Sequence, residues 1–230
     1  MTTARDVHAK ILDPGWYSRY CLRHGPDAGP FYHRVHLAQH IHLYAITADP
    51  VFAWIADLFY QEFPPYDGGG TVWLAAGSHT GVRVDRRGRP AGQTRVSLPR
   101  AGTAQVGDVV KVRGQRGLWY AITTGRLAGL YVQGTARSYH IGAHAIVEYS
   151  PARTGRVRTT PLPASAVDAA GHTTTTATAH QAGDRVAVAA RAVLNGVPHL
   201  RLASGSHAGR WVAATTIDLE PVPARPITPV

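Results

Sequence analysis

A repeated glycine pattern is the feature of this 230-residue sequence that most constrains its fold. The pattern G-x-x-[AT]-G-x-x-V occurs at residues 77–84, 125–132 and 205–212. Each copy follows a short alternating stretch, at residues 72–74, 118–122 and 199–202. A strand, a glycine-bounded turn and a second strand are typical of a β-hairpin. The repeat therefore predicts several short-stranded units built from one element.

The sequence around the repeats refines this prediction. The last two copies share an upstream Gly-Asp pair, Gly107-Asp108 and Gly183-Asp184, followed by alternating apolar residues. Between them, residues 164–182 are rich in Ala and Thr, and we expect a long loop or linker there. The β part is thus predicted to contain two or three units.

The residues before the repeats have helical spacing instead. Apolar residues recur at three- and four-residue steps over 33–47, which predicts a helix. Asp49 is a good N-cap and Pro50 suits a first helical position, so a second helix is expected from 50 to about 62. Such an αα-hairpin cannot bury its own apolar faces. It needs a partner, which is either the rest of a larger helical domain or the β region.

Composition limits the partners and the compartment. Lys and Arg total 24 against 14 Asp and Glu, and the net charge of +10 favours polyanions: nucleic acid, anionic lipid, acidic polysaccharide or cell-wall polymer. The alternative is that this Arg-rich usage reflects genomic base composition. No run of five like charges exists, which argues against a nucleic-acid arm. One cysteine excludes an intramolecular disulfide and a cysteine-based zinc site.

Targeting signals are absent from the sequence as it stands. The longest apolar runs are too short to span a bilayer, so no transmembrane segment is expected. The polar N-terminus lacks the apolar core of a secretory signal. The expected location is the cytoplasm for a complete chain, and outside it for a fragment of an exported enzyme.

Three elements precede the β part in a fixed order. They are G-W-Y-S-R-Y-C-L-R-H at 15–24, F-Y-H-R-V-H-L-A-Q at 31–39 and L-Y-A-I-T-A-D-P-V-F at 43–52. Together they resemble the C-terminal part of the D-glucuronyl C5-epimerases, where GW-x-x-Y-x-L-R-H precedes YH-x-x-H-x-x-Q and LY-x-[IL]-T-x-D-x-x-F. The resemblance covers about residues 14–63 and implies a fragment of an α/α toroid.

The resemblance also implies a reaction and a site. Epimerising a uronic acid at C5 removes a proton α to a carboxylate and returns one from the opposite face. Two acid–base groups must therefore flank the ring, and cations must stabilise the developing charge. By this resemblance, Tyr20 and Tyr32 are catalytic. The residues that the resemblance assigns to the acidic sugar are Arg23, His24, His33 and His36.

Packing is the alternative role for each of these side chains. The family's further catalytic tyrosine and its neighbouring carboxylate lie upstream of the matched segment. The resemblance therefore implies a truncated homologue that is inactive alone and needs a chain with the missing helices. His33, His36 and His40 share one helix face, but there is no H-E-x-x-H motif and no cysteine pair, so neither a metal nor a cofactor is expected.

The β part resembles the SH3-like repeats of bacterial cell-wall and polysaccharide-processing enzymes. Residues 203–212 match the final sG-x-x-AG-x-W-V hairpin of those repeats best. The predicted fold is α+β: a helical segment at 1–67, then SH3-like units at 68–136 and 137–230. The implied alternative function is non-catalytic binding of carbohydrate or cell wall, without specific nucleic-acid binding. Three tryptophans would then be core residues or ligand platforms: Trp73, Trp119 and Trp211.

Overall fold

The structure is a computed structural model that describes residues 10–13, 15–20, 29–66, 69–141, 145–167 and 173–220. Helix α1 spans Gly29–Thr47 and helix α2 spans Pro50–Glu62, which confirms the predicted pair. The side chain of Asp49 accepts a hydrogen bond from the Val51 N–H at 3.1 Å. Pro50 takes the first helical position, where its missing N–H costs nothing.

Seven antiparallel strands and a short 3₁₀ helix follow the helix pair. The strands are β1 (Gly70–Leu74), β2 (Gly77–Val84), β3 (Pro90–Leu98), β4 (Gly102–Val110), β5 (Trp119–Ile122), β6 (Tyr131–Gln133) and β7 (Ser138–Ile141). The 3₁₀ helix, Gly125–Leu127, lies between β5 and β6. The strand order across this first sheet is β3-β2-β6-β5-β4-β1-β7.

A second sheet repeats this architecture. Its strands are β8 (Val147–Val157), β9 (Pro163–Val167), β10 (Thr173–Ala177), β11 (Arg185–Leu194), β12 (Val197–Leu202), β13 (Trp211–Ala213) and β14 (Ile217–Leu219). Their order is β10-β9-β13-β12-β11-β8-β14. Each strand of the second sheet occupies the same place as the strand numbered seven lower does in the first sheet. The described chain therefore contains two copies of one sheet topology.

The two copies also agree in the hydrogen bonds of the glycine-bounded turn. The Gly129 N–H donates to the Ile122 carbonyl, and the Gly209 N–H donates to the Leu202 carbonyl, both at 2.9 Å. Two further backbone bonds recur. In the first unit the N–H groups of Ala128 and Leu130 donate to the carbonyls of Gly125 and Leu127. In the second unit the N–H groups of Ala208 and Arg210 donate to the carbonyls of Gly205 and His207. Gly129 and Gly209 have φ of +79° and +81°. The predicted repeat is thus confirmed for its last two copies.

The first copy of the glycine pattern is a continuous strand, so the hairpin predicted there is wrong. Strand β2 pairs with β3 along its whole length, from Gly77 opposite Leu98 to Val84 opposite Pro90. A Cβ at Gly81 would lie 2.6 Å from Cδ1 of Leu130. Glycine therefore permits close packing in β2, whereas it permits a turn in the other two copies.

Other details of the β part also differ from the sequence prediction. The Ala/Thr-rich stretch, predicted to be a loop, instead contributes most of β9 and all of β10, and these two strands pair with each other. Its threonines are β-branched, which favours a strand. The first sheet continues through β7 and ends at Ile141 rather than near residue 136. Asp108 lies opposite Ala121, and the matching position in the β11–β12 ladder is Ala190, opposite Arg201. The two Gly-Asp pairs are therefore not structural counterparts.

Helix α2 packs on both sheets. Ile55 and Phe59 belong to the hydrophobic core that includes Val72 and Tyr120 of the first sheet. Phe52 and Ala53 belong to the core of the second sheet, together with Tyr44 of α1. The β region thus covers the apolar face of α2. Trp119 and Trp211 are buried core residues, and Trp73 stacks on Tyr139 across strands β1 and β7 with ring centroids 5.1 Å apart.

Candidate functional site

Positive charge is concentrated in the first sheet. Residues 70–141 contain ten arginines and one lysine against two aspartates, a net charge of +9 out of the +10 of the whole chain. Residues 145–220 contain seven arginines against five acidic residues. The excess of formal positive charge is therefore carried mainly by one unit rather than spread over the chain.

A groove of about 720 Å³ opens in this charged unit. Five parts of the chain line it: the N-terminal segment, the start of α1, the turn between β2 and β3, the end of β4 with its following loop, and the start of β6. We call it the basic groove, after its cationic side chains Arg86, Arg87, Arg89, Lys111 and Arg113. Two carboxylates, Asp85 and Asp108, and three aromatic residues, Trp16, Tyr17 and Tyr131, also line it.

The turn between β2 and β3 is organised by Asp85. Its Oδ1 accepts the backbone N–H groups of Arg87 at 2.8 Å and Arg89 at 2.9 Å. The N–H of Arg89, followed by that of Arg87, holds the pKa of the Asp85 carboxyl below its usual value. The carboxylate thus fixes the turn backbone, while the side chain of Arg86 has no hydrogen bond or ion pair within the described ranges. The side chain of Arg86 is exposed to solvent.

Trp16 packs on the same turn. A Cβ at Gly88, whose φ is +75°, would lie 2.9 Å from Cη2 of Trp16, so only glycine leaves room for the indole. The guanidinium of Arg113 lies 4.3 Å from the centroid of the Trp16 ring. The Arg113 N–H also donates to the Gly88 carbonyl at 2.7 Å. Turn, tryptophan and loop therefore form one packed edge of the groove.

The N-terminal segment is attached to the fold beside this edge. The Tyr17 hydroxyl accepts the Lys111 N–H at 2.8 Å, and burial raises the pKa of Tyr17 to about 12. The ammonium of Lys111 is buried and lies 3.1 Å from Oε2 of Glu62, at the end of α2. The same carboxylate oxygen accepts the Gly15 N–H at 2.9 Å. The charge of Lys111 is therefore committed to Glu62, and the exposed arginines supply the groove's available charge.

Ser18 joins the segment to two of the predicted site residues. Its N–H donates to Nδ1 of His33 at 2.9 Å, and its hydroxyl lies 2.7 Å from Nδ1 of His36. Nε2 of His33 lies 2.8 Å from the Phe59 carbonyl, so the neutral ring carries its proton on Nε2. His33 is fully buried, and this burial lowers its pKa to about 4. In this conformation both ring nitrogens of His33 are used within the protein.

The predicted catalytic tyrosines lie together at the surface. Tyr20 is 51% exposed and Tyr32 is 41% exposed, and their rings meet edge to face with centroids 4.7 Å apart. Arg23 and His24 lie outside the described residues. His36 is buried and contacts Ser18. The structure therefore brings Tyr20 and Tyr32 together at the surface, whereas His33 is buried.

The metal alternative for the helix-face histidines finds no support in the described residues. His40 is fully buried with Nδ1 2.6 Å from the His36 carbonyl. Within the ranges that the structure covers, no group of three or more His, Cys, Asp or Glu is placed to hold a metal ion.

The groove residues were missed by reasoning from sequence. The available signal was the D-R-R-G-R run at residues 85–89, where three arginines follow a turn-forming Asp and flank a Gly. Net charge per unit would also have separated residues 70–141 from the rest. Neither signal indicates that Trp16, seventy residues earlier in the chain, packs on this turn.

Comparisons with known proteins give little. No family model matches the sequence, and no curated protein matches it. The chain is similar to a crystal structure from Listeria monocytogenes named as an autolysin, with 12% identity and a TM-score of 0.28. That alignment covers 67% of this chain and spans 65% of the other chain. A TM-score this low does not establish a shared fold, so nothing is transferred from it.

A membrane-spanning helix is also absent from the part of the chain that the structure describes, since none there is both long and apolar enough.

Proposed function

We propose that the protein is a non-catalytic binder of an acidic polysaccharide or acidic cell-wall polymer, and that the basic groove is its binding site. The observation that carries this proposal is the net charge of +9 on residues 70–141, around a groove of about 720 Å³. Guanidinium groups bind carboxylates and phosphates through paired hydrogen bonds, and they keep their charge at any physiological pH. The groove therefore suits a repeating anion.

The arrangement of the arginines supports an extended ligand. Elsewhere in the same unit, the exposed side chains of Arg83, Arg95, Arg100 and Arg116 likewise have no hydrogen bond or ion pair within the described ranges. Four of the five groove cations are arginines near the turn and the adjoining loop. A polymer with regularly spaced charges can contact several of these cations at once, which raises its affinity over that of a single anion.

The two sheet units are SH3-like barrels in this proposal. Support comes from the shared strand order, from the matching hydrogen bonds of the turns at Gly129 and Gly209, and from the resemblance of residues 203–212 to cell-wall enzyme repeats. The groove then lies between two loops of the first barrel, and the second barrel serves as a spacer or a docking surface.

Glucuronyl C5-epimerisation remains the prediction from the sequence resemblance, and the geometry of the tyrosines supports it less well. Two-base epimerisation places one acid–base group on each face of the sugar ring. The rings of Tyr20 and Tyr32 are in contact, with centroids 4.7 Å apart, which leaves no space for a sugar between them. Binding requires no such arrangement, so we favour binding.

Isothermal titration with a uronate hexasaccharide tests the proposal. The double variant Arg86→Gln/Arg89→Gln is expected to bind about tenfold more weakly, because two charge-assisted contacts are lost. The matched control is Arg158→Gln/Arg185→Gln, which removes two exposed charges from the second unit. Equal losses in both variants, or equal affinity for a random-sequence DNA of the same charge, would contradict a specific acidic-glycan site in the groove.

A further inference from the structure

A buried charge cluster lies between α2 and the second sheet. Asp57 of α2 forms ion pairs with Arg153 of β8 and with Nη1 of Arg191 in β11, the latter at 3.2 Å. The Tyr149 hydroxyl donates to Oδ1 of Asp57 at 2.6 Å. The Arg191 guanidinium also lies 4.7 Å from the centroid of the Tyr60 ring. One carboxylate thus serves two guanidinium groups.

This cluster has an excess of positive charge. Arg153 is 5% exposed and Arg191 is 8% exposed, while Asp57 provides a single negative charge. Nε of Arg191 is buried and has no hydrogen-bond partner within the described residues. Buried charges are costly unless they are paired, and a buried unpaired N–H adds to that cost. The cluster therefore has the charge and the donor that a further anion would satisfy.

A cavity of about 290 Å³ is lined by these groups. We call it the arginine cavity; Asp57, Arg153 and Arg191 line it together with the apolar side chains Trp54, Leu58, Leu200, Ile217 and Leu219. Two further carboxylates line it, and each already has its own arginine. Glu220 lies 2.5 Å from Nη2 of Arg185, and Asp218 lies 3.5 Å from Nε of Arg158.

We propose that the arginine cavity binds a small organic carboxylate with a compact apolar body. The carboxylate faces the Arg153–Arg191 pair and supplies the second negative charge, while Trp54 and Leu58 cover the apolar body. This site lies between α2 and the second sheet, and its lining shares no residue with the basic groove. Occupying it therefore requires no residue of the proposed polymer site.

Benzoate is a suitable probe, and benzamide is its neutral control of the same shape. Isothermal titration and thermal unfolding of the full chain are expected to show binding and stabilisation by benzoate and none by benzamide at the same concentration. Arg191→Gln is expected to weaken benzoate binding at least tenfold. Ala214→Phe, which adds bulk at an apolar position of the cavity wall, is expected to abolish binding, with thermal unfolding as the check that the variant is folded.

A second variant, in which benzoate replaces a lost carboxylate, keeps the test informative if Arg191→Gln does not fold. Asp57→Asn leaves two arginines without a counter-charge, so it is expected to lower the unfolding temperature and to bind benzoate more tightly than the wild type. The proposal is overturned if benzamide binds as well as benzoate, or if Ala214→Phe still binds it. It is also overturned if inorganic phosphate binds as tightly as benzoate, or if Arg86→Gln/Arg89→Gln in the basic groove abolishes benzoate binding.

Discussion

The backbone N–H of Ser18 donates to Nδ1 of His33 across 2.9 Å, in the interior of the protein. Because a backbone N–H can only donate, Nδ1 must stay unprotonated for this bond to exist. The bond ties the segment that carries Trp16 to helix α1. The charge state of one buried histidine thus controls one of the bonds that attach the edge of the basic groove, besides those of Tyr17 and Gly15.

Acid is expected to weaken this attachment. The pKa of His33 is lowered by burial to about 4 from 6.5, so the unfolded chain binds more protons between these values. Stability from the neutral ring is fully present above pH 6.5 and is lost as the pH falls toward 4, by about 3 kcal/mol in total. Nearby His36 and Lys111 further disfavour the charged ring.

His33→Gln isolates this contribution from other titrating groups. Glutamine keeps a donor for the Phe59 carbonyl but does not titrate. Urea unfolding should show a variant that is less stable than the wild type at pH 7, with a gap that narrows by about 2 kcal/mol at pH 4.5. A gap that stays constant with pH would show that His33 titrates normally.

Gly88→Ala is expected to disturb both stability and binding. The positive φ alone costs about 1–2 kcal/mol for an L side chain, and the new Cβ would lie 2.9 Å from the Trp16 ring. Gly125→Ala is the matched control, since its φ is +74° and no atom lies within 4 Å of the added Cβ. Titration with the hexasaccharide should show weaker binding for Gly88→Ala only. Equal affinity of the two variants for the hexasaccharide would show that Trp16 does not contribute to binding.

The two units should respond alike to the same substitution in the shared turn. Gly129 and Gly209 have φ of +79° and +81°, and nothing lies within 4 Å of a Cβ added at either. Gly129→Ala and Gly209→Ala are each expected to cost about 1–2 kcal/mol from backbone strain. Chemical unfolding that shows a large cost for one and none for the other would mean that the turns differ energetically despite equal hydrogen bonding.

Local signals in the sequence predicted the helix pair and two of the three glycine-bounded turns correctly. Asp49 and Pro50 specify a helix start through a single side-chain bond and a fixed φ, so the boundary could be placed to the residue. The turns at Gly125 and Gly205 are likewise set by nearby glycines. Gly81 has the same sequence context but a different role, because Leu130, the residue before β6, packs closely against it. Sequence alone does not distinguish a turn from a close approach.

The basic groove depends on contacts that are distant in the chain. Trp16 packs on Gly88, and Tyr17 contacts Lys111, so the groove exists only after the N-terminal segment packs on the first sheet. For His33, the sequence motif predicted a role that its surroundings in the fold do not favour. Its motif suggested a sugar ligand, whereas its surroundings make it a buried link between Ser18 and Phe59.

The most direct test of polymer binding in the basic groove is residue-resolved NMR of the full chain during titration with a uronate hexasaccharide. A neutral hexasaccharide of equal length is the control. The account predicts that amide shifts concentrate at residues 85–89 and 111–113 and at the Trp16 indole, with little change from the neutral sugar. Shifts confined to Tyr20 and Tyr32, or spread evenly over all exposed arginines, would contradict it.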